Sequence, residues 1–559
     1  MGKTARTRRR AGRETTASLH ARRYLCALLP ALVLGLSSCG QETDSRVGET
    51  AKTRGVSGVL PEAAAKPDIV MILIDTLRAD RLGAYGHPGR LSPTIDAIAA
   101  SGVTFEHCIA AAPWTLPSVA SLFTSYYPGV HKASKYKEVP DPTADGGKSA
   151  LQSALTEDVD TLAEVLQGAG YQTAGFVGAK FLRAQFGFAQ GFEHYDTSFA
   201  DSTLRGKLIN DAALDWVGTQ RDPARPLFLY LHYMDVHGPY DAAPEFMDPL
   251  MAQLEALPNK QRLTAEEYEA IHPYLRQPPR DTTTLERYER LKNFREYWVA
   301  RYEAGVKEVD FYISQLIERL TDAGIWNDAY VILLADHGEA LCEHGIWEHG
   351  YSMYQTDLHV PLILRWPGVL PAGKRVPPLV STIDLMPTLI EQLHLSSPQK
   401  LQGASLLSHI FDTGTGGPIT RFAEAIREGP DEYAVIQDYA KLITTARARQ
   451  QQRDGTARAQ LSYRLFDLKA DPAEEHDLAP SHPALVKRLG QVMTAVVRAN
   501  LQLRPDVVAA KVMVDPQTMR ELAALGYVGS PDYEDEPNEA KAESQPGTGT
   551  VGQTGARRP

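Results

Sequence analysis

The chain has 559 residues, 43% of them hydrophobic and 23% charged, which is the composition of a globular protein large enough to bury a sizeable core. The formal net charge is −11, and residues 1–39 carry eight Lys/Arg and one Glu, which leaves −18 for the rest. A protein this acidic does not offer the basic surface that nucleic acid needs, so we expect no nucleic-acid partner and a local site for any bound anion. Two cysteines outside the leader exclude a disulfide framework, and we expect Cys108 and Cys342 to be separate buried thiols.

Residues 1–39 have the form of an export leader. The basic stretch MGKTARTRRRAGRETTASLHARR precedes the apolar YLCALLPALVLGL, which is too short for a membrane-spanning helix. The following LSSC resembles a bacterial lipobox and predicts a lipid on Cys39, so that the chain is an exported, membrane-anchored lipoprotein facing the periplasm or the cell surface. An ordinary cleaved signal peptide is the alternative. Residues 40–66 are polar and small, which predicts a flexible tether.

From residue 67 the chain alternates buried strands with helices. PDIVMILIDTL is apolar at every position from Ile69 to Ile74, as expected for a strand covered on both faces. SPTIDAIAASGVTFEHCIA and TLAEVLQGAGYQTAGFVG each predict a helix, a glycine stop and a strand, and RPLFLYLHYM and DAYVILLADHG predict two more strands. This order predicts an α/β fold with a doubly wound sheet over residues 67–395. Residues 241–300 are polar and predict an insertion in that domain.

The pattern changes after residue 395. YAVIQDYAKLITTA and AQLSYRLFDLKADP predict antiparallel strands, and PALVKRLGQVMTAVVRAN predicts a closing helix. We therefore predict a C-terminal subdomain over residues 396–529. Residues 530–559 are rich in Pro, Gly and Glu, which predicts a disordered tail.

Ionisable residues follow two of the predicted strands. Asp75 comes directly after the first strand, and Asp336 and His337 come after a later one. Ligands of open α/β sheets collect at the carboxyl ends of the strands, so we expect these side chains to lie together. Thr115, in AAPWTLPSVASLFTS, stands at the start of a predicted helix, where free N–H groups favour an oxyanion. Each residue alone has a commoner role, such as a helix cap, but together they could hold a metal ion and make Thr115 a nucleophile.

Several ordered segments carry a family resemblance. IVMILIDTLRADRLGAYG, SPTIDAIAASGVTFEHCIA, TLPSVASLFTS, LHYMDVHGPY, LLADHGEALCEHG, HVPLILRWPG and STIDLMPTLIEQL make residues 67–395 resemble the sulfatase family of the alkaline phosphatase superfamily. YRLFDLKADPAEEHDLA and LAALGYVG are typical of bacterial members. The resemblance implies an alkaline-phosphatase-like α/β domain with a mixed sheet, plus a smaller C-terminal α+β subdomain on a short antiparallel sheet.

The resemblance also implies roles for single residues. Asp75, Asp336, His337 and Thr115 match metal ligands, and Thr115 also matches the attacking residue. Three further residues match groups that contact the substrate anion or its leaving group, and these are His237, His349 and Lys180. One divalent metal ion is therefore expected. A second metal is the alternative, with ligands drawn from Asp235, His232, His237, His344 and His349.

The departures from the family pattern favour phosphorus chemistry. Thr115 stands where sulfatases have the Cys or Ser of C/S-x-P-S-R, so no formylglycine is expected, and Val119 replaces the arginine of that motif. Thr76 replaces a second aspartate, and His337 replaces an asparagine. These changes resemble phosphodiesterases, phosphonate hydrolases and threonine-dependent transferases. An imidazole in place of a carboxylate moves the metal preference from calcium towards manganese or zinc.

We therefore predict a metal-dependent extracytoplasmic hydrolase that cleaves a sulfate or phosphate ester through Thr115. The substrate is an anionic ester, for which glycans and lipid headgroups are candidate carriers. One alternative is a phospho-headgroup transferase, although such enzymes usually carry several membrane helices. Another is a binding lipoprotein that kept the fold and lost catalysis. For RADR (Arg78, Asp80 and Arg81) we expect a surface ion pair.

Overall fold

The computed structural model describes residues 66–134, 136–140, 148–201, 205–255, 295–414, 419–427, 430–447 and 460–514. The predicted leader with Cys39, the predicted tether up to residue 65, the predicted tail, and residues 256–294 of the predicted insertion lie outside the described residues.

The strands and helices follow the alternation expected from the sequence. In chain order the strands are β1 (Ile69–Ile74), β2 (Val103–Ile109), β3 (Tyr136–Pro140), β4 (Lys148–Ala154), β5 (Gln172–Val177), β6 (His194–Asp196), β7 (Leu227–Tyr233), β8 (Tyr330–Leu334), β9 (Ala340–Leu341), β10 (Trp347–Glu348), β11 (His359–Val360), β12 (Leu362–Arg365), β13 (Lys374–Ser381), β14 (Thr420–Glu424), β15 (Asp431–Gln437), β16 (Ala440–Arg447), β17 (Gln460–Asp467) and β18 (Ala510–Val514). The α-helices are α1 (Pro93–Ala100), α2 (Thr115–Thr124), α3 (Pro128–His131), α4 (Leu162–Gly168), α5 (Arg205–Thr219), α6 (Pro244–Glu255), α7 (Arg295–Asp322), α8 (Gln355–Leu358), α9 (Leu385–Gln392), α10 (Leu407–Ile410) and α11 (Pro483–Leu503).

A mixed sheet forms the centre of the large domain. Its order is β11-β2-β12-β8-β1-β7-β5-β6, and β13 adds to β2. The strands β8, β1, β7, β5 and β6 are parallel, whereas β12 is antiparallel to both β8 and β2. Two reversals restore the direction, so β2 runs the same way as β8 and β1. The carboxyl ends of β2, β8, β1 and β7 therefore open at one edge.

Burial on both faces explains the apolar runs of the central strands. Every residue of β1, β7 and β8 is buried, because helices such as α1, α5 and α7 cover the sheet. Each large apolar side chain removed from water contributes about 1.5–3 kcal/mol, and a strand without a polar position can lie only in such a layer. The α/β prediction is confirmed. Cys108 and Cys342 are free and buried, as expected.

The predicted insertion ends earlier than residue 300. Helix α7 begins at Arg295, and Tyr297 and Trp298 are already buried in the core. Trp298 makes edge contacts with Tyr240 and Trp347, at centroid distances of 6.2 and 6.0 Å. The sequence around these two aromatic residues is polar, which is why the predicted insertion extends to residue 300. The structure places residues 295–300 in α7, so this boundary is wrong.

Three small antiparallel sheets lie outside the central sheet in the described residues; one pairs only β9 with β10, and the other two are larger. The sheet β14-β15-β16-β17 carries α11, whose Leu489 and Met493 are buried against it. This is the separate C-terminal sheet that the resemblance implied. The second sheet, β18-β4-β3, was not expected from the sequence, and it pairs the end of the described chain with the large domain, with Val512 opposite Gln152. Among the described residues, no helix has the length and apolarity needed to cross a membrane.

One acidic side chain of α7 is buried against the segment that follows β7. Glu308 is 4% exposed; its Oε2 accepts a hydrogen bond from the Ala243 N–H (3.3 Å) and its Oε1 accepts one from the Tyr312 hydroxyl (3.3 Å). Burial, with a smaller contribution from the charge of Asp235, raises the pKa of Glu308 to about 7.

The raised pKa of Glu308 makes stability fall as the pH rises. The folded state holds this proton more tightly than the unfolded chain, so its stabilisation is complete below about pH 4.5 and is lost as pH rises through about 7. We predict that Glu308→Gln lowers the loss of Tm between about pH 5 and about pH 8, measured by scanning calorimetry. Glu318→Gln, an exposed position on the same helix, is the matched control. An unchanged pH dependence in Glu308→Gln would contradict this assignment.

Candidate active site

The two carboxylates that follow adjacent strands lie side by side. Asp75 follows β1 and Asp336 follows β8, and these strands pair in register with Leu73 opposite Leu334. The Asp75 N–H also donates to Tyr233 O of β7 (2.9 Å), which fixes its backbone to the other neighbouring strand. Both side chains are at most 1% exposed.

His337 completes a compact cluster with these carboxylates. One ligand atom from each of Asp75, Asp336 and His337 lies within 4.8 Å of the others, and His337 Nε2 is 3.4 Å from both Asp75 Oδ1 and Asp336 Oδ2. His337 Nδ1 lies 2.9 Å from Gly338 O, which can only accept, so Nδ1 carries the proton. Burial lowers the pKa of His337 to about 3, so the ring is neutral and Nε2 presents a lone pair.

This arrangement fits a divalent cation. A lone pair and two carboxylates repel one another across 3.4 Å, and burial raises the pKa of Asp336 to about 7. Within the described part of the chain, Asp336 Oδ2 has no hydrogen-bond donor. A cation bound to these atoms would remove the repulsion and satisfy the buried oxygen. The mixed oxygen and nitrogen donors suit manganese or zinc better than calcium.

Thr115 is the first residue of α2 and faces the cluster. Its Oγ1 lies 3.4 Å from Asp75 Oδ2 and 3.3 Å from His337 Nε2, and the side chain is fully buried. Ser118, one turn later, donates from Oγ to Asp336 O (2.6 Å), which fixes the start of α2 to the end of β8. The N-terminus of the helix therefore points its partial positive charge towards the cluster.

The residue after Asp75 cannot act as a ligand in this geometry. Thr76 adopts φ 60°, a left-handed conformation that is costly for a β-branched residue. Its Oγ1 donates to Asp75 O (2.7 Å), and the Tyr302 hydroxyl donates to Thr76 O (2.8 Å). These bonds hold the strained turn and keep the Thr76 hydroxyl on the backbone, so Thr76 does not substitute for the second aspartate of the family pattern.

A histidine–glutamate pair lies beside the cluster. The His349 ring is 4.5 Å from that of His337 and 5.0 Å from that of His237, and His349 Nδ1 is 3.2 Å from Glu339 Oε1. Burial, reinforced by Glu348, raises the pKa of Glu339 well above its ordinary value. The raised pKa favours the protonated form of the Glu339 carboxyl. Sequence reasoning missed Glu339, although its place two residues after His337, in DHGE, is a usable signal.

The ion pair of the RADR segment joins a buried arginine to an exposed carboxylate. Arg78 bonds Asp80 (2.8 Å) as expected, and the Asp80 side chain is 52% exposed, whereas that of Arg78 is 8% exposed. Arg78 also bonds Glu343 (2.9 Å) and Glu339 O (3.0 Å). Arg78 ties the loop after β1 to the loop that carries Glu339, which explains its burial.

The remaining predicted residues are distributed around the cluster. Lys180 is 6% exposed, and the next residue, Phe181, contacts Trp114 edge-on at 5.7 Å, which brings Lys180 near the start of α2. His232 is fully buried with Nε2 3.8 Å from Asp75 Oδ2. His344 instead stacks on Tyr354 at 3.7 Å.

A second metal gains no support from this geometry. Asp235 accepts from the Gly206 N–H at 3.0 Å, on the side of α5. In the described ranges, the only group of three ligand-type residues that meets in this way is Asp75, Asp336 and His337.

The comparison with protein families decides the affiliation. The family described as Sulfatase matches residues 67–395, which is more than half of the chain. The chain belongs to the sulfatase family. A second family, described as N-sulphoglucosamine sulphohydrolase, C-terminal, matches residues 342–499. This sulfatase-family chain is accordingly a hydrolase of the sulfuric ester class.

Individual relatives are distant but cover most of the chain. The Delta 4,5-hexuronate-2-O-sulfatase of Bacteroides thetaiotaomicron is 24% identical over 82% of this chain and 94% of its own length. Arylsulfatase K of Xenopus laevis is 24% identical over 77% of this chain and 82% of its own. The solved phosphonate monoester hydrolase of Agrobacterium radiobacter has the same fold, with a TM-score of 0.57, 19% identity, and coverage of 79% of this chain and 96% of that one.

Loss of a cluster residue should remove the metal. We predict that His337→Ala and Asp336→Asn weaken the binding of manganese or zinc by at least ~100-fold, because each removes a nitrogen or carboxylate ligand of the cluster. Metal content after dialysis and a chelator competition titration measure this. Asp310→Asn removes an equally buried carboxylate that caps α1 through Thr94 and Ile95, and it should keep the metal. Full metal retention in His337→Ala would contradict the assignment of His337 as a metal ligand.

Proposed function

We propose that this chain cleaves a sulfate or phosphorus ester by direct attack of Thr115 Oγ1, with one divalent metal ion held by Asp75, Asp336, His337 and Thr115. The observation that supports the proposal is the position of Oγ1, within 3.4 Å of Asp75 and 3.3 Å of His337 at a helix N-terminus. A threonine that served only as a helix cap would accept from the N–H groups of its own helix, whereas the hydrogen-bond contacts of Thr115 Oγ1 among the described residues are with Asp75 and His337.

Metal binding supplies the activation that a hydroxyl needs. A divalent cation in this cluster would lower the pKa of the Thr115 hydroxyl and neutralise charge on the ester oxygens. Asp75 and Asp336 keep such an ion at the ends of β1 and β8, and the Nδ1–H···O bond to Gly338 holds His337 in the tautomer that can ligate. Threonine is a secondary alcohol and cannot give an aldehyde, so formylglycine has no place in this mechanism.

The proposed reaction has two displacements. In the first, Thr115 attacks as the alkoxide, its proton having been lost to solvent beforehand; Oγ1 forms a bond to sulfur or phosphorus while the ester oxygen leaves, and the N–H groups at the start of α2 stabilise the oxyanion. The leaving oxygen takes the proton held by the His349–Glu339 pair, and His237 and Lys180 contact the non-bridging oxygens. In the second, water attacks the same centre, its proton returns to that pair, and Thr115 is released.

Phosphorus esters are the more natural substrates of this nucleophile. Formylglycine sulfatases release sulfate by elimination from a hydrated aldehyde, a route that a threonine sulfate ester lacks. A phosphoester on Thr115 can be displaced directly by water. Sulfate esters remain in the proposal because the chain belongs to the sulfatase family, and several of its relatives are sulfatases of glycan residues by name.

The two other hypotheses account for less of the site. A binding lipoprotein has no need for a nucleophile, and the set of Asp75, Thr115, Asp336 and His337 meets in one buried cluster with the chemistry of a hydrolase. A headgroup transferase needs an acceptor alcohol in the second displacement in place of water. The assay below distinguishes both from a hydrolase.

Export is part of the proposal. The leader and LSSC motif support a lipid-anchored enzyme acting outside the cytoplasm. One relative, 24% identical over 69% of this chain, is described as an extracellular sulfatase homologue of Drosophila melanogaster; this chain matches 35% of its length.

Substitution of the nucleophile should abolish turnover. We predict that metal-loaded Thr115→Ala loses turnover of aryl sulfate, phosphate, phosphodiester and phosphonate esters by at least ~1000-fold, whereas Thr115→Ser retains part of it because the hydroxyl remains. In H₂¹⁸O, single turnover should give released anion containing one oxygen from water, and rapid quench should trap the ester on the Thr115 peptide for mass spectrometry.

Thr124→Ser provides a control in the same helix, because Thr124 is equally buried but its hydroxyl bonds only backbone groups, donating to Ala120 O (2.7 Å) and accepting from the Tyr126 N–H (3.3 Å). Turnover by Thr115→Ala would contradict the threonine mechanism. Transfer of the sulfuryl or phosphoryl group to an added alcohol in place of water would instead identify a transferase. The absence of turnover by a metal-loaded wild-type protein on every ester would favour the binding protein.

Lipidation depends on one cysteine. We predict that the full chain, expressed in a bacterium with the lipoprotein pathway, incorporates labelled palmitate and partitions into the membrane fraction. Cys39→Ser should lose the label, and Cys26→Ser, in the same leader, should keep it. Secretion of an unlabelled wild-type chain would identify an ordinary cleaved signal.

A further inference from the structure

The turn after β14 reaches the active site from the C-terminal sheet. Ala425 O accepts a hydrogen bond from Trp114 Nε1 (2.7 Å), and the Arg427 N–H donates to Gly350 O (2.7 Å). Trp114 directly precedes Thr115, and Gly350 directly follows His349. The backbone of residues 425–427 is thereby bound to the neighbours of two proposed catalytic residues.

The backbone is held in this place by close packing. Gly350 has φ +89°, and a Cβ on it would lie 3.1 Å from Arg427 Cβ and 3.4 Å from Trp114 Cβ, so only glycine fits easily between them. Ala425 adopts φ 72°, which is costly for a residue with a Cβ. A strained alanine persists only where surrounding contacts determine the conformation, and here those contacts come from the active-site segments.

The side chain of Arg427 is anchored on Tyr351, two residues after His349. Its guanidinium carbon lies 4.8 Å from the centre of the Tyr351 ring, and its Nη2 donates to the Tyr351 hydroxyl. The guanidinium is therefore held in place against the segment that follows His349.

The helix that carries the nucleophile supplies no cation of its own. Its sequence, TLPSVASLFT, has Val119 where the family motif has arginine, and Val119 is fully buried. An ester with non-bridging oxygens needs charge-assisted donors there, and a planar guanidinium can contact two such oxygens at once. The C-terminal sheet brings the half-buried Arg427 to the same region.

We propose that Arg427 contacts the non-bridging oxygens of the substrate ester and replaces, from the C-terminal sheet, the arginine missing from α2. The inference rests on the proposed function, since it assigns Arg427 to the same ester-binding site. It makes the C-terminal subdomain a catalytic part of the enzyme. It also specifies a tetrahedral oxyanion, such as a sulfate or phosphonate monoester, as the group that Arg427 recognises.

The test measures anion binding separately from turnover. Metal-loaded wild type, Arg427→Met and Arg427→Lys are titrated calorimetrically with inorganic sulfate, phosphate and vanadate, and metal content and Tm are recorded for each. We expect Arg427→Met to weaken the tightest of these anions roughly 10- to 100-fold with metal content unchanged. Arg427→Lys should bind the anion more tightly than Arg427→Met but less tightly than the wild type, because lysine keeps the positive charge but lacks the planar guanidinium that donates to two oxygens at once. Added guanidinium should improve anion binding in Arg427→Ala.

Arg464→Met is the matched control. Arg464 lies over Tyr354 at the same 4.8 Å, bonds that hydroxyl (2.6 Å), and belongs to the same C-terminal sheet. Its loss should change anion affinity by less than about 2-fold. Unchanged anion binding in Arg427→Met would overturn the proposal. So would equal weakening in Arg427→Met and Arg464→Met with lowered Tm, which would identify a structural role.

The two proposals can fail independently. If the wild type turns over no ester, but Arg427→Met alone loses anion binding, the inference stands and the proposed hydrolysis fails. If Thr115→Ala abolishes turnover while Arg427→Met binds anions and turns over esters as the wild type does, the hydrolysis stands and the inference fails.

Discussion

The repulsion among Asp75, Asp336 and the lone pair of His337 is the constraint on which the site depends. Two carboxylates and an imidazole nitrogen face one another across 3.4 Å in a region that water does not reach. In such surroundings either a proton or a cation must balance the charge, and the proton is held weakly enough to be exchanged near neutral pH. The stability of the sheet holds this arrangement in place, because the three residues extend from strands whose own side chains are fully buried.

The sheet order converts this constraint into a catalytic geometry. β1 and β8 are neighbours, so their carboxyl ends place two acidic residues side by side. The reversal through β12 returns β2 to the same direction, so that the chain after β2 can begin α2 at the same edge. The nucleophile thus lies 40 residues from Asp75 and 222 residues from His337 in the sequence, yet each is fixed by backbone pairing and by bonds such as Ser118 to Asp336 O.

How far the sequence predicts this molecule differs between residues. The apolar run Ile69–Ile74 can only be a doubly covered strand, and the ordered motifs identify Asp75, Thr115, Asp336 and His337, which the structure brings together.

Other residues could not be predicted from the sequence. The start of α7 differs from the prediction because Tyr297 and Trp298 lie in a polar segment, and burial of two aromatic residues does not give a periodic signal. Arg78 was expected at the surface because its pairing with Asp80 is local, whereas its pairing with Glu343 is not. Arg427 carries no motif, and only the backbone bond to Gly350, with the neighbouring bond of Ala425 to Trp114, distinguishes it from other arginines.

The sheet β18-β4-β3 has a consequence for how the protein is made. β4 lies near the start of the large domain, and its pairing partner β18 lies at residues 510–514, more than 350 positions later. During synthesis on the ribosome, one edge of β4 therefore stays open while most of the chain emerges, and an open edge is a template for pairing with other chains. Closing such a long loop loses chain entropy before the strand contacts contribute favourable free energy, so the pairing of β18 with β4 is slow. Until residues 510–514 have been made, this edge of β4 is therefore a position at which the new chain can pair with other chains.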